Sequence, residues 1–267
     1  MSGIDPFEEA LAIASTPWGD ITPSAPPPPE RPAVTKDGPI TYYWNLVQGS
    51  DEWYAARCGL LTASEMKLIV TPTLKIASND KERTHLYELL GQRITQHVEE
   101  HYISDDMLRG KEDEILARDL YSQHYAPVEG IGFMTNSRWG FTLGFSPDGF
   151  VGGSGFIEAK SRRQKYGVET IVEYVQEEKQ PEDYMMQTQT GFLVSERKWC
   201  DFISYSGGLP MATIRIWPDA KVMNAIVEAA GAFEERLAKK LAKYNDVLKS
   251  KARLIPTKRR EIVEMHV

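Results

Sequence analysis

The sequence predicts an α/β or α+β sandwich. Apolar residues recur at helical spacing through the first third, and short aromatic and β-branched runs follow Pro127. Further helical stretches lie between and after those runs, which points to helices packed on a sheet rather than to an all-β barrel.

Residues 1–40 carry Pro17, Pro23, Pro26, Pro27, Pro28, Pro29, Pro32 and Pro39 with few large apolar residues, so they are expected to form a flexible arm. Within it, residues 6–14 have the material for one or two amphipathic turns that could serve as a docking peptide. A globular domain is expected over 41–250. Its first helix starts at Ser50, a capping residue followed by the acids Asp51 and Glu52, and runs to about Arg57. Thr62 and Glu65 then form a T-x-x-E capping box ahead of Met66, Leu68 and Ile69. Leu86, Leu89, Leu90, Ile94 and Val98 mark a helix across 80–100, and 106–125 reads as another. Strands are expected at FMTN (133–136), WGFTLGFS (139–146), GFIEAKS (155–161), KWCDFISYS (198–206) and MATIRIW (211–217). A helix over 182–194 separates the third from the fourth, and a long helix over 219–250 closes the domain ahead of a basic tail, 251–267.

A hydrophobic fraction of 42% and a charged fraction of 26% are those of a soluble globular protein. No apolar run approaches the roughly 20 residues of a membrane span. The acidic opening residues lack the pattern of a secretory signal, and Cys58 and Cys200 lack zinc-site spacing, so a cytoplasmic protein with free thiols is expected. The net charge of −7 runs against a general nucleic-acid binder. An enzyme that surrounds a polyanion needs only a positive lining, however, and can stay acidic outside. Two basic clusters could supply one: Arg162, Arg163 and Lys165, and the set Lys251, Arg253, Lys258, Arg259 and Arg260.

The chemistry concentrates in Ser146-Pro147-Asp148-Gly149-Phe150, the glycine-rich turn Gly152-Gly153-Ser154-Gly155, and Phe156-Ile157-Glu158-Ala159-Lys160, which together read as a hairpin. Strand alternation puts Glu158 and Lys160 on one face, with Ala159 toward the core and its carbonyl available, while Asp148 reaches them from the neighbouring strand. Two carboxylates and a carbonyl are the hard oxygen ligands that Mg²⁺, or Mn²⁺ in its place, requires. A lysine beside that cation is expected to lose its proton more readily and to orient or deprotonate a water, which is the equipment of a phosphodiester hydrolase. Glu65-Met66-Lys67 and Glu177-Glu178-Lys179 repeat the E-x-K pattern, but only the third instance follows Pro-Asp and ends an apolar strand.

Three further motifs accompany the hairpin. The first is Gln48-Gly49-Ser50-Asp51-Glu52-Trp53-Tyr54-Ala55-Ala56-Arg57, followed by Gly59 and Leu61-Thr62-Ala63-Ser64-Glu65. The second is Arg109-Gly110-Lys111-Glu112-Asp113-Glu114, and the third Tyr184-Met185-Met186-Gln187-Thr188-Gln189. On their own, Ser64 at a helix start and the planar fork of Arg57 suit an anion, and Gln187 can hydrogen-bond a water or a phosphate oxygen. Glu114 shares a helix face with Met107, Gly110, Ala117 and Tyr121, with Glu112 and Asp113 as competing acids.

With the hairpin, these motifs resemble the phage lambda exonuclease and YqaJ-type viral recombinase family of PD-(D/E)xK nucleases over about residues 46–206. The resemblance implies a restriction-endonuclease-like core, a central mixed sheet flanked by helices. It implies that Arg57 and Ser64 hold a 5′-terminal phosphate, that Glu114 joins Asp148, Glu158 and Ala159 at the metal, and that Gln187 acts beside them. The implied activity is Mg²⁺-dependent 5′-to-3′ digestion of linear double-stranded DNA, leaving 3′ single strands for a single-strand annealing protein. It further implies a homotrimeric ring, in which Arg162, Arg163 and Lys165 would line the DNA channel. The spacing around 162–179 and the proline-rich arm depart from the family pattern. A structure-selective or nicking endonuclease on the same fold, and an inactive DNA-end-binding protein, are the alternatives.

Overall fold

The computed structural model describes residues 32–99 and 104–259; residues 1–31 of the expected arm, and Arg260 with the rest of the expected tail, lie outside them. Among the described residues the strands form two five-stranded mixed sheets. In the first, β1 (Val34–Asp37), β2 (Ile40–Tyr43), β5 (Phe133–Asn136), β6 (Leu143–Phe145) and β3 (Leu61–Thr62) lie in the order β1-β2-β5-β6-β3, with only β3 and β6 parallel. In the second the order is β10-β9-β8-β7-β4, from β10 (Ala212–Ile216), β9 (Trp199–Tyr205), β8 (Gly155–Ser161), β7 (Gly149–Val151) and β4 (Val128–Glu129). Its parallel pair is β8 with β9.

The expected arm, 1–40, overlaps the first sheet. β1 pairs with β2 from Val34↔Tyr43 to Asp37↔Ile40, turning at Gly38 with φ +54°. Trp44 fastens this end, its Nε1 donating to Thr35 Oγ1 at 2.8 Å and its backbone N–H to Ala33 O at 3.0 Å. The hairpin lies in a run whose proline content suggests a tether, yet Val-Thr-Lys-Asp-Gly-Pro-Ile-Thr-Tyr-Tyr is β-branched and aromatic on both sides of a turn sequence.

Helix α1 (Asp51–Arg57) begins where its cap demands, with Ser50 Oγ accepting from Trp53 N at 3.2 Å. The T-x-x-E box behaves differently: Ala63–Leu68 is a 3₁₀ helix, and the Thr62 side chain makes no capping bond to it. Thr62 instead donates to Glu65 Oε2 at 2.8 Å and accepts from Arg57 Nη2 at 3.0 Å. Helix α2 (Asp80–Thr95) is capped by Asn79, and α3 (Asp105–His124) follows. The crossover that a parallel β8–β9 pair requires is built from α4 (Gln164–Glu169), a π-helical turn at Thr170–Tyr174, a 3₁₀ turn at Glu182–Tyr184 and α5 (Met185–Ser195). The long α6 (Ala220–Leu248) starts on Asp219, whose carboxylate accepts from the N–H groups of Lys221 and Val222. Among the described residues no helix is long and apolar enough to cross a membrane.

Alternation along β8 divides the core. Phe156 meets Phe145 and Phe192 of α5 edge-on at 5.3 and 5.1 Å between ring centroids. A Cβ added at Gly191 of α5 would stand 2.8 Å from Phe145 Cζ, so this glycine lets the helix seat closely on the rings. Helix α6 extends the same core with Val222, Ile226, Phe233 and Leu237. On the opposite side, Ile157 and Ala159 pack with Ala117 and Tyr121 of α3. β8 is thus covered on both faces, and a charged residue on it must find its partners inside the protein.

Candidate active site

The β7–β8 register, Gly149↔Ile157 to Val151↔Gly155, puts Asp148 beside the middle of β8. Its Oδ2 accepts from Ala159 N at 2.6 Å. Glu158 is only 1% exposed, and its Oε1 accepts from Lys160 Nζ at 2.6 Å and from Gln187 Nε2 of α5. Its Oε2 is buried with no hydrogen-bond partner. From the other side of the sheet α3 supplies Glu114, which lines the same cleft as Asp148 and is electrostatically coupled to it. The competing acids point elsewhere: Glu112 is exposed, and Asp113 Oδ2 accepts from Ser161 Oγ at 2.5 Å.

Burial is the main force on these groups. It raises Asp148 to about 7, the charge of Glu114 adding to the rise and Lys160 opposing it. Glu158 is also raised to about 7 by burial, with Lys160 opposing and Asp148 adding. Glu114 is raised by burial, against the pull of Arg118. For Lys160 burial favours loss of the proton, but Glu158 and Asp148 outweigh it and hold the ammonium above the ordinary lysine range. Lys160 is thereby a charged donor held on Glu158, and the expected easier loss of its proton belongs to the cation-bound site.

Asp148, Glu158, Lys160, Glu114, Gln187 and Ala159 line one cleft of about 140 Å³, together with Arg57 and Ser64. The Arg57 guanidinium lies 4.1 Å from the centroid of Trp53, one helical turn earlier on α1. Burial lowers its pKa, with Glu65 acting in the other direction. Trp53 was not singled out from the sequence. It is buried, and its Nε1 donates to Ser146 Oγ at 3.0 Å, so one ring ties α1 to the strand leading into Asp148 and supports the arginine. The signal lay in its i, i+4 spacing to Arg57. Gln189 points away, donating to Trp217 O and accepting from Asp219 N where α6 begins.

Arg162, Arg163 and Lys165 do not enter this cleft. Arg163 and Lys165 are exposed, with Lys165 Nζ 4.6 Å from the Tyr166 ring centroid. The Arg162 side chain is only 9% exposed and donates to Tyr184 Oη at 2.7 Å. Of the terminal basic cluster, Lys251, Arg253, Lys258 and Arg259 are exposed. Both cysteines are free.

The donor set fits a hard divalent cation. Buried carboxyls with raised pKa values would lose their protons to it, and Glu158 Oε2 has an unused oxygen to offer. Among the described residues no three His, Cys, Asp or Glu side chains are grouped to hold a metal by themselves. The carboxylates are turned instead to Lys160, Gln187 and the Ala159 N–H.

No curated protein matches the chain. Among solved structures, an alkaline exonuclease from Laribacter hongkongensis is similar with a TM-score of 0.66 and 30% identity, over 75% of this chain and 98% of that one. The same enzyme in complex with dAMP is similar at 28% identity, with a TM-score of 0.61 over the same shares. A phage-related exonuclease from Haemophilus somnus 129PT shares the fold at 12% identity and a TM-score of 0.51, over 69% of this chain and 96% of that one. The model of the YqaJ-like viral recombinase domain matches residues 52–198, a span that opens within α1, takes in Arg57 and Ser64, and contains the hairpin acids and Gln187. With more than half of the chain inside that match, the protein belongs to the YqaJ-like viral recombinase family.

Proposed function

We propose that the protein is a Mg²⁺-dependent exonuclease, with Mn²⁺ as a substitute, that digests linear double-stranded DNA from 5′ to 3′ and leaves 3′ single-stranded overhangs for strand-annealing recombination. The observation that carries this reading is the meeting of an Arg57–Ser64 anion site with Asp148, Glu158 and Lys160 in one small cleft. Its volume is below the roughly 300 Å³ at which ordinary ligand pockets begin, which suits a strand end rather than a base pair.

Asp148, Glu158 and Glu114, with the carbonyl of Ala159, would hold the cation. When bound it supplies Lewis acidity toward the phosphodiester and a nucleophile at neutral pH. Arg57 and Ser64 grip the 5′-terminal phosphate, so the first internal phosphodiester comes to rest at the carboxylates. Lys160 donates to a non-bridging oxygen of the phosphodiester and offsets its growing charge. Gln187 orients the attacking water. The new bond joins water oxygen to phosphorus and the P–O3′ bond breaks, releasing a 5′-mononucleotide and leaving a fresh 5′-phosphate on the shortened strand. That phosphate is the group Arg57 and Ser64 take in the next turn. The similar enzyme crystallised with dAMP is in keeping with a nucleotide-sized product.

Digestion of 5′-end-labelled and 3′-end-labelled linear duplex in Mg²⁺ tests the reading. The 5′ label should be released first, and covalently closed DNA should survive. Nicking of closed DNA would mark an endonuclease, and end binding without any cleavage an inactive end-binding protein.

The assembly proposed is a homotrimeric ring in the cytoplasm, with the exposed Arg163 and Lys165 facing a central duplex and a single-strand annealing protein as partner. A chain of charge −7 is repelled by DNA at long range unless its cations are gathered inward. Light scattering should give a trimeric mass, and competitor DNA added after initiation should leave digestion running. A monomeric mass with immediate trapping would rule out the ring.

A further inference from the structure

Past the end of β8 the ladder takes one more step, as Arg162 N donates to Tyr205 O at 2.6 Å. Alternation therefore continues, and Arg162 follows Lys160 on the same side of the chain, roughly 6.6 Å further along. Its guanidinium is held against two rings, 5.0 Å from the centroid of Tyr166 and 5.3 Å from that of Tyr184. Nη1 donates to Tyr184 Oη at 2.7 Å. Nε is buried without a partner, and Nη2 stands 3.9 Å from Glu169, beyond hydrogen-bond reach. The unused Nε–Nη2 edge is the side-on fork with which arginine takes two oxygens of one phosphate. A buried guanidinium with Nε unpaired and Nη2 only in a long ion pair with the exposed Glu169 is costly unless an anion completes it.

Arg162 lines a groove of about 560 Å³, separate from the cleft of the carboxylates. Arg109, Arg163 and Tyr174 also line it, while the acids along it, Glu169, Glu182 and Asp183, are exposed to solvent. Tyr184 joins the two cavities: it holds Arg162, and its ring centroid lies 5.4 Å from Lys160 Nζ.

We propose that Arg162 binds the phosphate following the scissile one, the second internal phosphodiester from the 5′ end of the strand being degraded. The proposal rests on the exonuclease reading. The end phosphate would lie at Arg57, the scissile one at the carboxylates and Lys160, and the next at Arg162, so that each cut is made on a strand held on both sides of the broken bond.

The test uses 5′-phosphorylated thymidine di- and trinucleotides bound in Ca²⁺, which supports ligation but poorly supports hydrolysis. In one trinucleotide the second internal linkage is a neutral methylphosphonate. Wild type should bind the all-phosphate trinucleotide about tenfold more tightly than the methylphosphonate form, the weight of one charge-assisted contact. Arg162→Gln should bind both trinucleotides alike and the dinucleotide as wild type does, with Arg162→Lys between the two. Undiminished sensitivity to the neutral linkage in Arg162→Gln would overturn the proposal. Equal weakening of the dinucleotide would also overturn it, since that marks a purely structural hold on Tyr184. Wild-type cleavage of labelled linear duplex is run in parallel. Cleavage with indifference to the second linkage sinks this inference alone, whereas absence of both cleavage and oligonucleotide binding sinks the exonuclease reading and the inference with it.

Discussion

Asp148→Asn and Glu158→Ala are each expected to lower duplex cleavage on the order of 10³-fold or more, while DNA-end binding in Ca²⁺ persists. Losing one carboxylate from the cation's shell forfeits several kcal/mol of charge stabilisation in the transition state, at 1.36 kcal/mol per factor of ten. Asparagine at 148 keeps an oxygen for the Ala159 N–H, so that variant separates loss of charge from loss of the hairpin. Single-turnover digestion in Mg²⁺, with end binding by fluorescence anisotropy, is the measurement. Near wild-type cleavage by either variant would remove these residues from the metal site.

The same carboxyls make a thermodynamic signature that needs no DNA. Asp148 moves from 3.8 to about 7 on folding, so between those values the native state holds the proton that the unfolded chain has released. Metal-free stability should then fall as pH rises from about 4 to 7, as native proton uptake requires, and level off above. Asp148→Asn should flatten this slope, and added Mg²⁺ should restore stability at the upper end.

The hairpin was legible because its chemistry depends on alternation and register, which are local: Glu158 and Lys160 fall two apart on one strand, and Asp148 lies across a three-residue turn, Gly152-Gly153-Ser154. Most helices were legible for the same reason, their starts being written in Ser50, Asn79 and Asp219 and their buried faces in apolar spacing. Three features depended on what the fold brings together. The pull on the Lys160 proton comes from two buried carboxylates that the fold sets around it, Glu158 and Asp148. Thr62 and Glu65 have the residue types of a capping box, but Arg57 arrives from α1 and draws the Thr62 hydroxyl into a side-chain chain with Glu65. The segment Gln164–Tyr174 carries no clean helical period, because its geometry passes from α to π as it rounds the groove beside Arg162. The β1–β2 hairpin escaped notice because proline content dominates its surroundings, although its own residues favour strands.

Arg57→Gln is expected to erase the preference for 5′-phosphorylated over 5′-hydroxyl ends while leaving basal cleavage. Hydrogen bonds to charged groups contribute about 1.5–3 kcal/mol, so the preference lost should be about tenfold to a hundredfold. The geometry favours a loss in binding and alignment over a loss of the chemical step. Arg57 shares the cleft with the carboxylates but donates to Thr62 and stacks on Trp53, and none of its hydrogen bonds touches Asp148 or Glu158. Arg57→Lys keeps the charge without the planar fork and should recover only part of the preference. Because Arg57 is packed on Trp53, each variant needs an unfolding curve beside its kinetics, so that a loosened α1 is not mistaken for a lost phosphate contact. Rates on matched 5′-phosphate and 5′-hydroxyl duplexes give the discrimination directly. If Arg57→Gln discriminates as well as wild type, Arg57 is a structural partner of Trp53 and Thr62, and the 5′-phosphate must be read elsewhere in the cleft. If it loses cleavage on both ends equally, Arg57 instead acts on the scissile phosphate.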